Sequence, residues 1–372
     1  MNICVVHSRM LGGEVERVVT TLARGLSRRG HRVSIVSRSG GRFDGPAFDE
    51  PAEETFRRFT IEGLAERRPG WIIRASHGLG RVLREIHPDV INVHGFSAVP
   101  IANLARRHLG LSAPIGFTLH SPERHWTYPL MGRALPLLVE DVSAVCSETR
   151  RQLRRHGYPP HLGEVIYKGI DEALLRPPAE VESRPLISEE GMIKLGVSSR
   201  LIQSKGIQTL LGALARLRAR GTDRFVLDIS GSGPYREALE KRCGRLKLGD
   251  RVRFIGRSHV PAFLDDIDIL VCPNDTASFP MRILEAFARG TLVLATGVGG
   301  IPEAVWEGRT GFLVPPRDEE RLARALERIL SAHERIGEIR VEARRQVERR
   351  FLATHMIRNY EDWLARLVAM TI

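Results

Sequence analysis

Short apolar runs alternate along the chain with longer segments whose apolar residues recur every three or four positions. The first run, residues 3–7, precedes a segment with one apolar face at helical spacing, formed by Val15, Val18, Val19, Leu22 and Leu26. Such alternation is typical of βαβ units on a parallel sheet. Further strands are predicted at residues 33–37, 89–94, 114–120, 142–146 and 164–167, with a helix over 97–108. Residues 38–70 lack this rhythm and predict a flexible flap.

A second alternation begins at Ile193. The segment before it, from Asp171 to about Gly191, is rich in Pro, Glu and Ser and predicts a linker. A helix is predicted over 207–217, and the chain from about Asp318 onward is helical and rich in arginine. The strands predicted in this half are 193–197, 225–229, 252–255, 267–272, 292–295 and 312–314. The pattern therefore indicates two Rossmann-like halves that face each other across a cleft.

Composition agrees with a globular protein of two domains. The 372 residues are 42% hydrophobic and 27% charged, and no apolar run approaches the ~20 residues of a membrane-spanning helix. The first residues lack the basic and apolar regions of a signal peptide. The four cysteines form no Cys-x-x-Cys pair, so we expect buried thiols in a reducing cytoplasm.

The basic residues comprise only five lysines, which leaves 56 − 5 = 51 arginines and a formal net charge of +12. Codon composition is one explanation, and an anionic partner such as a phosphorylated substrate or a membrane surface is the other. Nucleic acid is not expected, because no basic helix with interleaved aromatic residues and no helix-turn-helix or zinc-finger spacing is present.

Two loops that join a strand to a helix are suited to bind phosphate. Gly12-Gly13-Glu14 follows the first strand, where a helix N-terminus offers unpaired N–H groups, although an ordinary turn would use glycine as well. Arg200 and Lys205 occupy the corresponding loop of the second half. An arginine fork and a lysine point charge five residues apart suit a diphosphate, because ligands of open α/β sheets bind beyond the carboxyl ends of the strands.

Two further segments indicate a nucleotide. Gly231-Ser-Gly233-Pro234 is another glycine-rich turn at a helix N-terminus, with proline where its missing N–H costs nothing. Glu285 lies early in a predicted helix, where its carboxylate can accept hydrogen bonds from both hydroxyls of a ribose.

In series, these motifs resemble the family 4 glycosyltransferases of the GT-B fold over nearly the whole chain. The resemblance is carried by Gly12-Gly-x-Glu, Arg200…Lys205-Gly206, Gly231-Ser-Gly-Pro, Leu284-Glu-Ala, and Gly297-Val-Gly-Gly-Ile-Pro-Glu303. It implies an acceptor-binding domain over 1–171, a linker over 172–192 and a nucleotide-sugar-binding domain over 193–350. The C-terminal helix, 351–372, would cross back onto the N-terminal domain.

The resemblance also implies roles for single residues. Arg200 and Lys205 would hold the donor diphosphate and stabilise the leaving nucleotide, and Glu285 would hold the ribose. His120 matches the family's histidine near the donor sugar. The remaining donor-binding and acceptor-binding candidates are Gly13, Gly231, Gly233, Ala277, Ser278, Phe279 and Met281 for the donor, and His94 and Glu14 for the acceptor.

Two positions depart from the family. Ala277 stands where the first of two glutamates is usual, eight residues before Glu285, and that carboxylate commonly contacts the donor sugar. Asp275 or Ser278 is a candidate to substitute for it. Lys168 replaces a usual asparagine, and the sequence offers no mechanism for that change.

The expected activity is retaining transfer of a sugar from a nucleotide-sugar, with UDP as the first choice of nucleotide, and with no metal or other cofactor. The acceptor is either a small natural product or a lipid-linked or envelope glycan, attached through oxygen, nitrogen or sulfur. A sugar-nucleotide epimerase on the same fold and a weakly active nucleotide-binding partner subunit remain alternatives. We expect a cytoplasmic protein, with peripheral contact to the inner face of the membrane as a further option.

Overall fold

The computed structural model describes residues 1–8, 13–38, 56–64, 69–120, 128–185, 191–331 and 335–370. The chain divides into two compact units, and the first contains both the N-terminal part and the last helix. Unit 1 consists of Met1–Gly169 and Ala353–Ile372, and unit 2 consists of Ile170–Leu352.

Unit 1 contains a seven-stranded parallel sheet in the order β3-β2-β1-β4-β5-β6-β7. Its strands are β1 (Asn2–His7), β2 (Arg32–Arg38), β3 (Arg57–Ile61), β4 (Val90–His94), β5 (Ile115–Leu119), β6 (Asp141–Ala144) and β7 (Glu164–Val165). Its helices, numbered in chain order, are α1 (Glu14–Arg28), α2 (Pro69–Ile86), α3 (Val99–Leu109), α4 (Tyr128–Leu138), α5 (Ser147–Arg155) and α14 (Ala353–Ala369).

The central strands of this sheet are buried on both faces. Every residue of β4 and β5 is buried, as expected for parallel strands with both faces covered. The last helix, α14, packs against α1, β4 and β5. Its Trp363 is buried against Gly116 of β5 and donates a hydrogen bond from Nε1 to Asp141 Oδ2 at 2.9 Å.

Unit 2 contains a six-stranded sheet in the order β10-β9-β8-β11-β12-β13, and all its pairings are parallel. The strands are β8 (Ile193–Ser198), β9 (Phe225–Ser230), β10 (Val252–Gly256), β11 (Ile269–Cys272), β12 (Leu292–Thr296) and β13 (Phe312–Val314). The helices are α6 (Pro178–Ser183), α7 (Ile207–Ala219), α8 (Arg236–Arg245), α9 (Val260–Asp266), α10 (Met281–Arg289), α11 (Ile301–Ala304), α12 (Glu319–Ser331) and α13 (Ile336–Arg350).

The strand order reverses once in each unit, between β1 and β4 in unit 1 and between β8 and β11 in unit 2. Loops that leave the carboxyl ends of such strands diverge, and open α/β sheets bind their ligands at that point. The position of each site therefore follows from the order of the strands.

Two expectations from the sequence need correction. Residues 57–61, placed in a flexible flap over 38–70, form strand β3, which pairs in parallel with β2. Residues 39–55 and 65–68 of that segment lie outside the described residues. The segment expected as a linker, 172–192, belongs to unit 2, where α6 buries Val181 in its described part.

Candidate functional site

Arg200 and Lys205 lie together in unit 2, on the loop that leaves the carboxyl end of β8. Arg200 is exposed and Lys205 is half-buried in a single 3-10 turn, Gln203–Lys205. Neither cation forms an ion pair or a side-chain hydrogen bond anywhere in the described part of the chain. Two unpaired cations beside the point where the strand order reverses are suited to bind an anion, as the sequence predicts; that role stays a prediction.

This loop contacts the loop after β11, because Gly206 has no side chain. A Cβ at residue 206 would overlap the carbonyl oxygen of Pro273, and the backbone there is left-handed, with φ 69°. One residue further on, Asp275 N donates to Ser204 O at 2.9 Å. The hydroxyl of Thr296, at the end of β12, donates to Asn274 O at 2.6 Å. The loops at three strand ends are therefore held together by two backbone contacts and by the hydroxyl of Thr296.

Gly231 and Gly233 join the loop after β9 to the same assembly. A Cβ at 231 would overlap the carbonyl of Ser199, and one at 233 would overlap the carbonyl of Leu201. Leu201 N donates to Ser232 O at 2.9 Å. These glycines thus fix the loop that carries Arg200, which is a structural role; their contact with a donor stays a prediction.

The segment from Ala277 to Met281 leads into α10. Ala277 and Ser278 are half-buried, and Ser278 O accepts from Gly300 N at 2.9 Å. Phe279 is buried against Phe351, with ring centroids 5.4 Å apart. Met281 is the first residue of the helix, whose first N–H groups lack partners within the helix.

The proposed substitutes for the missing glutamate have other contacts. Asp275 is nearly buried, and its Oδ2 pairs with Arg317 Nε at 3.1 Å. The other oxygen, Asp275 Oδ1, is buried and has no hydrogen-bond partner among the described residues. Substitution for the usual glutamate by Asp275 or Ser278 stays a prediction.

Glu285 is 2% exposed, and its Oε2 accepts from Arg282 Nη1 at 2.6 Å. Both residues are on α10 with the i, i+3 spacing that brings side chains together. Burial raises the pKa of the Cys272 thiol at the end of β11 to about 12, while the charges of Lys205 and Arg282 oppose the rise. Arg282 and Lys205 therefore lie near the same strand end.

In unit 1, three histidines meet where the strand order reverses. His7 and His94 end β1 and β4 and are partners in register, and His120 directly follows β5. His94 Nδ1 lies 2.8 Å from His120 Nε2, and His7 Nδ1 donates to His94 O at 2.9 Å. His94 is 0% exposed and His120 is 7% exposed; contact of His94 with an acceptor stays a prediction.

Burial is the main influence on the pKa values of His94 and His120. It lowers the pKa of His94 well below 6.5, and the neighbouring His7 lowers it further. The pKa of His120 is lowered in the same direction, first by burial and then by His94, Lys168 and His7. Both imidazoles are therefore neutral near pH 7.

Lys168, the second departure from the family, has a clear structural role in unit 1. It is 3% exposed, and its Nζ forms an ion pair with Glu14 Oε1 at the start of α1. Gly13 is the exposed N-cap of the same helix. Lys168 thus holds Glu14 beside the N-terminus of α1 and adds positive charge near His120. Gly12, the other glycine of the predicted loop, lies outside the described residues.

Sequence reasoning missed His7, Lys168 as a partner of Glu14, and Arg282. The i, i+3 spacing to Glu285 was a signal for Arg282. The place of His7 depends on the register between β1 and β4, and the pairing of Lys168 with Glu14 joins segments far apart in the chain. In the described segments, no group of three or more His, Cys, Asp or Glu side chains could hold a metal ion. None of the described helices is long and apolar enough to cross a bilayer. All four cysteines are free, and three of them are buried.

Two family models match the chain. The model described as Glycosyltransferase Family 4 matches residues 12–174, and the model described as Glycosyl transferases group 1 matches residues 179–346. Together they span most of both units.

Similar curated proteins are bacterial transferases. A GDP-mannose-dependent alpha-(1-6)-phosphatidylinositol monomannoside mannosyltransferase of Mycobacterium tuberculosis is 29% identical over 308 residues, which are 78% of this chain and 78% of that protein. A D-inositol 3-phosphate glycosyltransferase of Streptomyces avermitilis is 35% identical over 298 residues, which are 71% of this chain and 63% of that protein.

Solved structures share the fold over the whole chain. A sucrose-phosphate synthase of Thermosynechococcus elongatus superimposes with a TM-score of 0.84 at 20% identity and full coverage of both chains. Anabaena HepE in complex with UDP-glucose superimposes with a TM-score of 0.81 at 21% identity, covering 98% of this chain and 100% of that chain.

Proposed function

Since this chain belongs to the family 4 glycosyltransferases of the GT-B fold, we propose that it transfers a sugar from a nucleoside-diphosphate sugar to an acceptor with retention of anomeric configuration. The observation that carries the proposal is the pair of unpartnered cations, Arg200 and Lys205, at the point where the strand order of unit 2 reverses, as seen among the described residues. A diphosphate supplies the negative charge that this loop lacks.

The donor lies in unit 2 with its diphosphate between the β8 loop and the N-terminus of α10. Arg200 takes phosphate oxygens through its planar fork, Lys205 adds a compact charge, and the amide of Met281 donates from the helix N-terminus. Glu285 accepts from the ribose hydroxyls. These groups stabilise the charge that develops on the departing diphosphate, and electrostatic stabilisation of this kind supplies most of the rate acceleration in many enzymes.

The chemical step needs no protein nucleophile. The bond from the anomeric carbon to the diphosphate oxygen breaks, and the acceptor atom bonds to the same face of that carbon. The acceptor proton passes to the leaving diphosphate. In unit 1, His120, neutral at physiological pH, is the residue proposed to act on the donor sugar, and Gly13 and Glu14 at the N-terminus of α1 are the residues proposed to bind the donor or the acceptor.

UDP is the nucleotide we propose first, and GDP is the second candidate. HepE was solved with UDP-glucose, which supports the first, and the mycobacterial relative is named as GDP-mannose-dependent, which supports the second. For the acceptor we propose a phosphorylated small molecule or lipid headgroup. Two relatives are named for inositol phosphates, and the chain carries a net charge of +12.

The test is transfer followed by proton NMR of the product. The full chain is incubated with UDP-glucose or GDP-mannose and with inositol 3-phosphate, phosphatidylinositol or a maltooligosaccharide. We expect an axial anomeric linkage with one donor class, and loss of at least about 100-fold in rate in Lys205→Ala. An epimerised donor without acceptor, or tight nucleotide binding with no transfer to any of these acceptors, would overturn the proposal.

A further inference from the structure

Arg282 stands out on α10 because it is the cation beside the buried carboxylate of the proposed donor site. Its side chain is 23% exposed, whereas that of Glu285 is 2% exposed. Burying an ionised carboxylate is costly unless a cation and hydrogen-bond donors compensate it. Arg282 Nη1 supplies one such bond, at 2.6 Å from Glu285 Oε2.

This bond uses only part of the guanidinium. Arginine has five N–H donors in a fixed plane, and Arg282 makes no other hydrogen bond or ion pair to a described residue. Its Nε is buried and has no partner among them. A buried donor without an acceptor is destabilising, and it is satisfied when a ligand supplies the acceptor.

Two observations indicate where Arg282 lies relative to the other cations. Arg282 lies in the first turn of α10, whose N-terminal amides are suited to an anion. It is also near Cys272, at the strand end that Lys205 approaches, as the influence of both charges on the pKa of that thiol shows. The loop that carries Lys205 contacts Pro273, directly after Cys272, through Gly206. Arg282 and Lys205 therefore both lie near the carboxyl end of β11 in unit 2.

We propose that Arg282 is a third cationic ligand of the donor diphosphate, and that its guanidinium joins phosphate recognition to ribose recognition. One Nη group keeps the Glu285 carboxylate oriented toward the ribose, while the remaining N–H groups donate to a phosphate oxygen. This inference rests on the proposed function, since it assumes a nucleoside diphosphate at the site. Of the three cations Arg200, Lys205 and Arg282, only Arg282 is paired with a carboxylate among the described residues, that of Glu285, which favours a donor that carries at least two negative charges.

The experiment separates phosphate from nucleoside affinity. Isothermal titration measures uridine, UMP and UDP, and also guanosine, GMP and GDP, against the full chain and its Arg282→Ala and Arg282→Lys variants. Arg282→Ala should weaken the nucleoside diphosphate that the wild type binds by about 10- to 100-fold, the range for one hydrogen bond to a charged group. The matching nucleoside should lose less than about threefold, and Arg282→Lys should fall between wild type and alanine.

A matched control lies on the same helix. Arg289→Lys alters an arginine in the last turn of α10 whose partner is Asp265, and it should leave all these affinities within about twofold of wild type. Since Arg282→Ala leaves Glu285 without its cation, Arg282→Lys serves as the folded comparison if the alanine variant does not fold.

The outcomes are distinct. Equal loss of nucleoside and diphosphate affinity would mean that Arg282 only orients Glu285, and unchanged affinities would exclude any part in binding; either result overturns the inference. Failure of the wild type to bind any nucleoside diphosphate would instead overturn the proposed function.

Discussion

Gly206 allows the loop after β8, which carries Arg200 and Lys205, to contact the loop after β11, which leads into α10. An alanine at residue 206 should therefore lower both the stability of the protein and its affinity for nucleotides. A Cβ at residue 206 would lie 1.7 Å from the carbonyl oxygen of Pro273. Gly221 is a matched control beyond the other end of α7, because its backbone is also left-handed, with φ 87°, but nothing lies within 4 Å of an added Cβ. The two alanine variants thus share the backbone penalty and differ in the steric overlap.

The magnitudes follow from these two effects. A left-handed alanine costs about 1–2 kcal/mol, and that is the whole expected loss in Gly221→Ala. Gly206→Ala adds about 1–3 kcal/mol for the overlap, because a backbone carbonyl cannot rotate away as a side chain can. For a unit of this size each kcal/mol lowers the melting temperature by about 2–4 °C.

The assay is differential scanning calorimetry of the ligand-free protein combined with titration of UDP and GDP. Moving the loop after β11 displaces Ala277 and the start of α10, so Gly206→Ala should lose tenfold or more of the affinity, roughly the effect of a misplacement near 1 Å. Gly221→Ala should keep it. Equal melting temperatures and equal nucleotide affinities for the two variants would refute the reasoning that these loops are held together at residue 206.

Four further results are expected. Lys205→Ala should lower kcat/KM by at least about 100-fold, since one transition-state donor is lost, and a near-normal initial rate would contradict this role. Ala277→Glu should improve the use of UDP-glucose or GDP-mannose by restoring a carboxylate for sugar hydroxyls; unchanged kinetics would show that other groups already hold the sugar. Because folding lowers the pKa of His94 and His120, the unfolded chain binds more protons below about pH 6.5, so the free energy of unfolding from urea titration should fall there by on the order of 1 kcal/mol per pH unit for each histidine. The same slope in a double His94→Gln, His120→Gln variant would contradict that assignment. Excess EDTA should leave the transfer rate unchanged, and a loss that Mg²⁺ or Mn²⁺ restores would show that a metal ion takes part.

Much of the fold could be predicted from the sequence, because parallel strands that are buried on both faces appear in it as continuous apolar runs. Residues 193–197 and 225–229 were predicted as strands and form β8 and β9 with small extensions. Strand β3 was missed because its sequence, Arg57-Arg-Phe-Thr-Ile61, is half polar, as an edge strand with one neighbour permits. Helix α6 was read as a linker because its composition is typical of loops, whereas burial of Val181 stabilises it.

The candidate site likewise contains residues that local sequence patterns predict and contacts that only the folded chain shows. The position of Arg200 and Lys205 was predictable, because an apolar run followed by a helical pattern indicates the loop between a strand and a helix. The pairing of Lys168 with Glu14 joins residues 154 positions apart, and no local pattern encodes it. The contact between His94 and His120 depends on the order β1-β4-β5, which only the assembled sheet defines.

The central claim is that Arg200 and Lys205, which have no partner among the described residues, bind the diphosphate of a nucleotide-sugar. The measurement that tests it most directly is a thermal-shift panel of UDP, GDP and ADP with their common sugar conjugates, on wild type and Lys205→Ala. Ligand at ~100 times its Kd should stabilise the wild type by about 2.7 kcal/mol, a shift of several degrees. We predict such a shift with one nucleotide class and its marked reduction in the variant. The absence of a shift with every nucleotide, or equal shifts in both proteins, would contradict the account.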